Sequence, residues 1–159
     1  LFTLNDEFKA MLPGAETDAL AGVALTFEEF LSREQDSGKL KLNLSPLNVD
    51  RAIVHGHCHQ KAFTVMNEVK TALLLVPDLE VESIDSGCCG MAGAFGYEAG
   101  NYDISMTMGE IGLFPAVRGA SSDTLIVASG TSCRHQIRDG AGREAVHVAR
   151  VLEKALGNK

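Results

Sequence analysis

A chain of 159 residues with 45% apolar content is long enough for one globular domain with a real core. Its net charge of −7, with no basic cluster, argues against nucleic acid or an anionic membrane as partner. No run approaches the roughly 18–20 apolar residues that cross a bilayer, and the start carries no signal-peptide pattern. The chain opens on Leu1 and reads as mid-domain, so a fragment of a longer polypeptide is expected.

Leu1 to Pro13 reads as a lead-in with helical character that ends before Pro13-Gly14. Ala15 to about Arg33 reads as one helix, because Leu20, Val23, Phe27, Phe30 and Leu31 recur at three- and four-residue steps. Ser37-Gly38 stops it. Lys39 to Leu44 alternates polar and apolar, as a half-exposed strand or extended arm does, and Pro46 ends it. A repeating unit follows. Arg51 to His55 is a short buried strand running into Gly56-His57-Cys58, and Gln60 to Leu75 is a helix broken by Pro77-Asp78. Leu79 to Ile84 is a second strand, running into Gly87-Cys88-Cys89. A glycine-rich stretch then leads to a helix that begins near Asn101 or Asp103 and is interrupted at Pro115. Thr124 to Ala128 is a third strand, followed by a short helix from Cys133 to about Asp139, a brief strand at 145–147 and a last helix from Val148 to Leu156.

Strand, helix, strand, helix, strand defines an α/β fold: a parallel sheet with βαβαβ crossovers and an N-terminal helical lead-in. We expect residues 1–48 to form the lead-in, packed on the domain, and residues 49–159 to form the α/β domain. Parallel strands end on one shared edge, and ligands collect there. Three segments lie just past strand ends: His55-Gly56-His57-Cys58-His59, Ser86-Gly87-Cys88-Cys89-Gly90-Met91-Ala92-Gly93 and Gly130-Thr131-Ser132-Cys133-Arg134-His135. They hold all four cysteines and four of the five histidines. They are therefore expected to converge into one site.

Four cysteines are too few for a disulfide-dense secreted scaffold, and their clustering with histidine and glycine fits a reduced metal or redox site. Four thiolates in a glycine-lined pocket suit a soft metal centre, either an iron–sulfur cluster or a four-coordinate zinc. Paired zinc knuckles and the compact ferredoxin cysteine run are both absent. Cys58, Cys88, Cys89 and Cys133 are the expected metal ligands, and Gly87, Gly90 and Gly93 the residues lining the cluster. His55, His57 and His59 alternate and would share one face in extended chain, at least one serving as ligand or as hydrogen-bond donor to a coordinated sulfur. His57, His59 and His135 are the candidate additional ligands. Thr131-Ser132 is placed to cap the helix that Cys133 opens, and Arg134 and Lys61 to offset thiolate charge. His147 stands apart from the site. A thiol/disulfide redox pair at Cys88-Cys89 is the non-metal alternative, and a Cys/His nucleophile with Asp85 would not need three cysteine segments.

At these residues the chain resembles the cysteine-rich CCG domain found in heterodisulfide reductase and in the iron–sulfur subunits of glycolate oxidase, lactate-utilisation and anaerobic glycerol-3-phosphate dehydrogenase systems. The wording His57-Cys58-His59-Gln60-Lys61-Ala62, Ser86 to Tyr97 and Gly130 to Ile137 is similar to the C-terminal part of large bacterial FAD-linked oxidases, the D-2-hydroxyacid dehydrogenases. Residues 51–137 carry the resemblance, and the opening segment resembles a linker between two such repeats, placing a further family cysteine just before Leu1. The heterodisulfide reductase pattern ends in CxxC, whereas here Cys133 is followed by Arg134-His135-Gln136. A cluster here would use four thiolates, with or without a histidine or that outlying cysteine.

The resemblance implies an electron-transfer domain of an FAD-linked 2-hydroxyacid dehydrogenase, not catalytic alone, holding an iron–sulfur centre of the [4Fe-4S] kind with FAD elsewhere in the parent polypeptide. Its partners would be the flavin and ferredoxin-like domains of that polypeptide and a quinone or protein electron acceptor. No nucleic acid and no transmembrane segment are expected, and the location would be cytoplasmic or peripheral at the inner membrane. A structural zinc-binding module is the alternative.

Overall fold

A computed structural model of the chain describes residues 1–157. The described chain divides into two compact units, residues 1–40 and the residues from 41 onward. The first unit is helical: α1 (Phe2–Asn5), α2 (Glu7–Met11), α3 (Ala15–Val23) and α4 (Phe27–Asp36). The single helix expected over residues 15–33 is two, because Thr26 caps a new one. Its hydroxyl accepts from Glu29 N at 3.2 Å, and the Glu29 carboxylate accepts from Thr26 N at 2.7 Å. This reciprocal box satisfies two otherwise orphaned amides.

The second unit begins with residues 41–48, which form no helix and join no sheet, although Ser45 N donates to Ala155 O at 2.8 Å. There follow β1 (Arg51–His55), α5 (Cys58–Ala62), α6 (Met66–Leu73), β2 (Glu80–Ser83), two 3-10 turns at Phe95–Tyr97 and Ala99–Asn101, α7 (Tyr102–Glu110), α8 (Leu113–Gly119), β3 (Leu125–Ala128), α9 (Thr131–Ala141), β4 (Ala145–Val146) and α10 (Val148–Ala155). The α/β class and the parallel sheet are as expected. The four strands are ordered β2-β1-β3-β4, all parallel, with Ile53 opposite Ile126 and His55 opposite Ala128.

The helix expected over residues 60–75 is broken at residues 63–65, where Thr64 turns the chain with φ +57°. Pro115 does not interrupt its helix. It sits in the first turn of α8, where its missing N–H has no intrahelical partner to lose, and the break falls at Ile111-Gly112. Helix α9 starts at Thr131, two residues before Cys133, and runs past Gly140 to the left-handed Gly142.

Strands β1 and β3 are buried, which is why they read as apolar runs, whereas the edge strand β2 is mostly exposed. Ile53, Ile126, Ala128 and Ala145 form one core with Leu113, Phe114, Val117 and Ile137. Val54 and Val127 alternate with them, and the buried faces of α6 and α10 supply Val69, Leu73, Val148 and Val151 to the core. The chain leaves β1 toward β2 on one side and returns to β3 on the other. The crevice past the carboxyl ends of β1 and β3 is thus a topological switch point.

Candidate metal centre

Two site segments leave β1 and β3 at that crevice, and the third leaves β2, the other neighbour of β1. His57 caps α5: its Nδ1 accepts from His59 N at 3.3 Å while Gln60 Oε1 accepts from His57 N at 3.0 Å. Cys58 is thereby the first helical residue of α5 and Cys133 lies in the first turn of α9, where the pull of a helix N-terminus toward thiolate is outweighed by burial and the neighbouring cysteines. The cap of α9 is Gly130 and makes no side-chain hydrogen bond, so Thr131 and Ser132 do not play the capping part expected of them. A Cβ on Gly130 would lie 2.7 Å from His57 Cδ2 and 2.9 Å from Cys133 Sγ, so the segments that follow β1 and β3 meet tightly.

The four cysteines come together as two pairs. Cys58 and Cys88 hydrogen-bond each other, as do Cys89 and Cys133, and Cys133 feels the charge of the other three. None is in a disulfide. The adjacent Cys88 and Cys89 therefore each partner a cysteine from a different segment. Cys89 and Cys133 are buried, at 3% and 1% exposure, whereas Cys58 is exposed and Cys88 half-buried at the mouth. Backbone N–H groups point at sulfur: Gly90 N donates to Cys88 Sγ at 3.3 Å, and Met91 N to Cys89. Gly90, at φ +99°, permits this turn, and any Cβ there would strike the Ser105 carbonyl.

The electrostatics follow from the pairing. The Cys133 thiol, donating to Cys89, holds Cys89 well below the ordinary thiol range. Burial opposes this, while the nearby His55 imidazole and Met91 N–H add to it. Cys133 moves up, first because its proton is engaged by Cys89 and then through burial and the charge of the other thiolates. Burial also pushes Cys58 up, to about 11, aided by its hydrogen bond to Cys88 and opposed by Lys61. His57 is lowered by burial and by His59.

The alternation of His55, His57 and His59 does not survive, because the strand ends at His55 and a helix starts at Cys58. His55 lies inside, fully buried, with Nδ1 3.0 Å from Ser86 Oγ. One ring nitrogen of His55 and the sulfurs of Cys89 and Cys133 all lie within 4.8 Å of one another. His57 stands over Gly130 with its ring 5.2 Å from that of exposed His59. His135 turns instead to Tyr97, whose hydroxyl is 2.8 Å from its Nδ1. His147, as expected, is apart from the site and caps α10.

Lys61 and Arg134 brace loops. Lys61 Nζ donates to the carbonyls of Ser86 and, at 3.0 Å, Gly87, tying the Cys88 turn to α5. Arg134 donates to Ala128 O, Ser129 O and Thr131 Oγ1 at 3.0, 2.7 and 3.2 Å. Gly93 uses its left-handed φ of +70°, and Gly87 contributes through its carbonyl. The alternating histidines hid the special position of His55. Its place as the last residue of a buried strand, facing the same side as Ile53, was the available signal. Gln136, which donates to Ser105 O and Oγ at 3.1 and 3.0 Å and so supports the Gly90 turn from behind, was not singled out by spacing at all.

His55, Cys89 and Cys133 form a soft nitrogen–sulfur donor group that could hold a metal ion, with the thiols of Cys58 and Cys88 beside it. Fold and site thus define a parallel α/β protein with a cysteine–histidine cluster at its switch point. The chain is similar to parts of larger dehydrogenases. It is 30% identical over 155 residues to one subunit of the anaerobic glycerol-3-phosphate dehydrogenase of Escherichia coli (strain K12), covering 98% of this chain and 38% of that protein. It is 33% identical over 73 residues to D-2-hydroxyglutarate dehydrogenase of the same strain, covering 46% of this chain and 7% of that protein. With the enzyme of that name from Haemophilus influenzae it shares 26% over 145 residues, covering 87% of this chain and 14% of the relative. The chain thus spans well under half the length of each of these relatives. No family model matches, and no solved structure gives a significant match.

Proposed function

We propose that this chain is a cysteine-rich electron-transfer module of an FAD-linked dehydrogenase acting on a 2-hydroxyacid, with Cys58, Cys88, Cys89 and Cys133 holding an iron–sulfur centre of the [4Fe-4S] kind. The observation that carries this reading is the meeting of all four cysteines at one strand edge, from segments 30 and 44 residues apart (58 to 88 and 89 to 133). The similarity to parts of dehydrogenases supports it. Such a centre, when bound, supplies reversible one-electron transfer.

The chain's own residues prepare the site. Met91 and the core beneath Cys89 and Cys133 exclude water from the inner pair, while Cys58 and Cys88 reach the surface. Lys61 holds the Cys88 turn closed over the site, and the Gly90 and Met91 amides stabilise sulfur charge. The half-exposed outer pair gives electrons a short path to a partner, so the flavin, a ferredoxin-like domain or a quinone or protein acceptor would dock at this edge. No helix among the described residues is long and apolar enough to cross a membrane. We place the module in the cytoplasm or peripherally at the inner membrane.

A mononuclear zinc site is the second reading, favoured by the compactness of the His55, Cys89 and Cys133 group. Anaerobic purification with iron, sulfide and zinc analysis separates the two. About four irons with matching sulfide, lost in Cys89→Ser, are expected for a cluster. Stoichiometric zinc without sulfide, or a folded chain that takes up no metal, would overturn the electron-transfer reading.

A further inference from the structure

A four-thiolate site leaves one buried polar atom unexplained. His55 is the last residue of β1, is 0% exposed, and its Nε2 has no hydrogen-bond partner. A buried, unpaired imidazole nitrogen is unfavourable unless something binds it. The other nitrogen is engaged: Nδ1 lies 3.0 Å from Ser86 Oγ, at the start of the Cys88-Cys89 turn. In the metal-free chain the imidazole helps to hold Cys89 low; with a metal bound, Nδ1–H donating to the Ser86 hydroxyl would leave Nε2 a lone pair, the arrangement by which metal-ligating histidines are oriented by an oxygen behind them. One ring nitrogen of His55 and the sulfurs of Cys89 and Cys133, the two most buried cysteines, lie mutually within 4.8 Å. His57 and His59 offer no such case, since the Nδ1 of His57 serves the helix cap and His59 is exposed.

We propose that His55 is a direct nitrogen ligand of the metal centre, bound through Nε2 beside Cys89 and Cys133, with Ser86 as the positioning residue that sets its tautomer. This rests on the metal-centre reading above and deepens it: the inner end of the site is a mixed nitrogen–sulfur corner, and Cys58 and Cys88 form its all-sulfur outer side. A neutral imidazole at this additional position adds no negative charge, whereas a thiolate there would add one and lower the reduction potential of an iron–sulfur centre.

The test is pulsed EPR on the full chain reconstituted anaerobically with iron and sulfide, reduced, and carrying ¹⁵N-labelled histidine. The expected result is a histidine nitrogen hyperfine coupling in the wild-type protein, lost in His55→Ala and kept in His57→Ala. His55→Cys should retain iron while losing the coupling and shifting the potential downward. Where His55→Ala does not fold, His55→Cys and His57→Ala carry the assignment, the coupling being lost in the first and kept in the second. Full iron and sulfide with no histidine coupling, or a coupling that persists in folded His55→Ala, overturns the His55 assignment and leaves the cluster reading standing. A folded chain that takes up no iron and sulfide overturns both.

Discussion

At the scale of single residues, the site is governed by which cysteine keeps its proton. Cys89 is held low by the Cys133 thiol, and Cys133 is raised in return, so the inner pair holds one proton between them over a wide range. In the metal-free, reduced chain, ultraviolet thiolate absorbance should therefore persist below neutral pH. It should vanish in Cys89→Ser and move to higher pH in Cys133→Ala, which removes the donor. The sign for stability follows. A group with a depressed folded pKa contributes stability that is present above its unfolded value, near 9.0, and is lost as pH falls toward the folded one. The metal-free protein should thus lose part of its thermal stability on acidification, and Cys89→Ser should flatten that limb. Cys58, raised to about 11, acts oppositely: its contribution is present below 9.0 and is lost as pH rises through about 11. Wild-type stability falling no more on acidification than that of Cys89→Ser would contradict the pairing.

At the scale of elements, turns decide where the sulfurs point. Gly90 combines φ +99° with a space closed by the Ser105 carbonyl, which Gln136 holds in place. Gly90→Ala should destabilise by about 2–4 kcal/mol in urea unfolding, from left-handed strain plus overpacking. Thr64, at φ +57°, is a β-branched residue in a conformation that suits glycine. Thr64→Gly should be neutral or stabilising by up to about 1 kcal/mol, where the same change inside α6 would destabilise. The strands, their order of use and the convergence of Cys58, Cys88, Cys89 and Cys133 were legible, because buried parallel strands read as apolar runs that end in turn residues. The helix breaks at residues 24–26 and 63–65 were not, since apolar spacing continues smoothly across both. The first had a readable signal in Thr26 and Glu29, a capping box. The second had none, because Thr64 is no ordinary turn former. His55 was obscured by period-two spacing that a strand-to-helix change at residues 55–58 cancels.

For the molecule as a whole, the site and the core are one structure. Cys89, Met91 and Cys133 belong to the same buried cluster as Phe114, which fills the space above Gly109 and Gly140. Phe114→Ala should cost about 3–5 kcal/mol in stability, and should also weaken metal retention, because the wall behind the inner sulfurs loosens. Metal that binds only the folded chain should in turn raise its melting temperature. A Phe114→Ala protein with unchanged metal content would show that the inner pair is supported independently of this core.

Whether Cys58, Cys88, Cys89 and Cys133 together hold a one-electron centre is decided by a reductive titration of the anaerobically purified chain followed by visible absorption and EPR. Visible absorption should bleach reversibly on reduction, with a paramagnetic signal appearing as it does so, and both should be lost in Cys89→Ser. A folded, metal-loaded chain that is colourless and EPR-silent throughout the titration would contradict a one-electron centre.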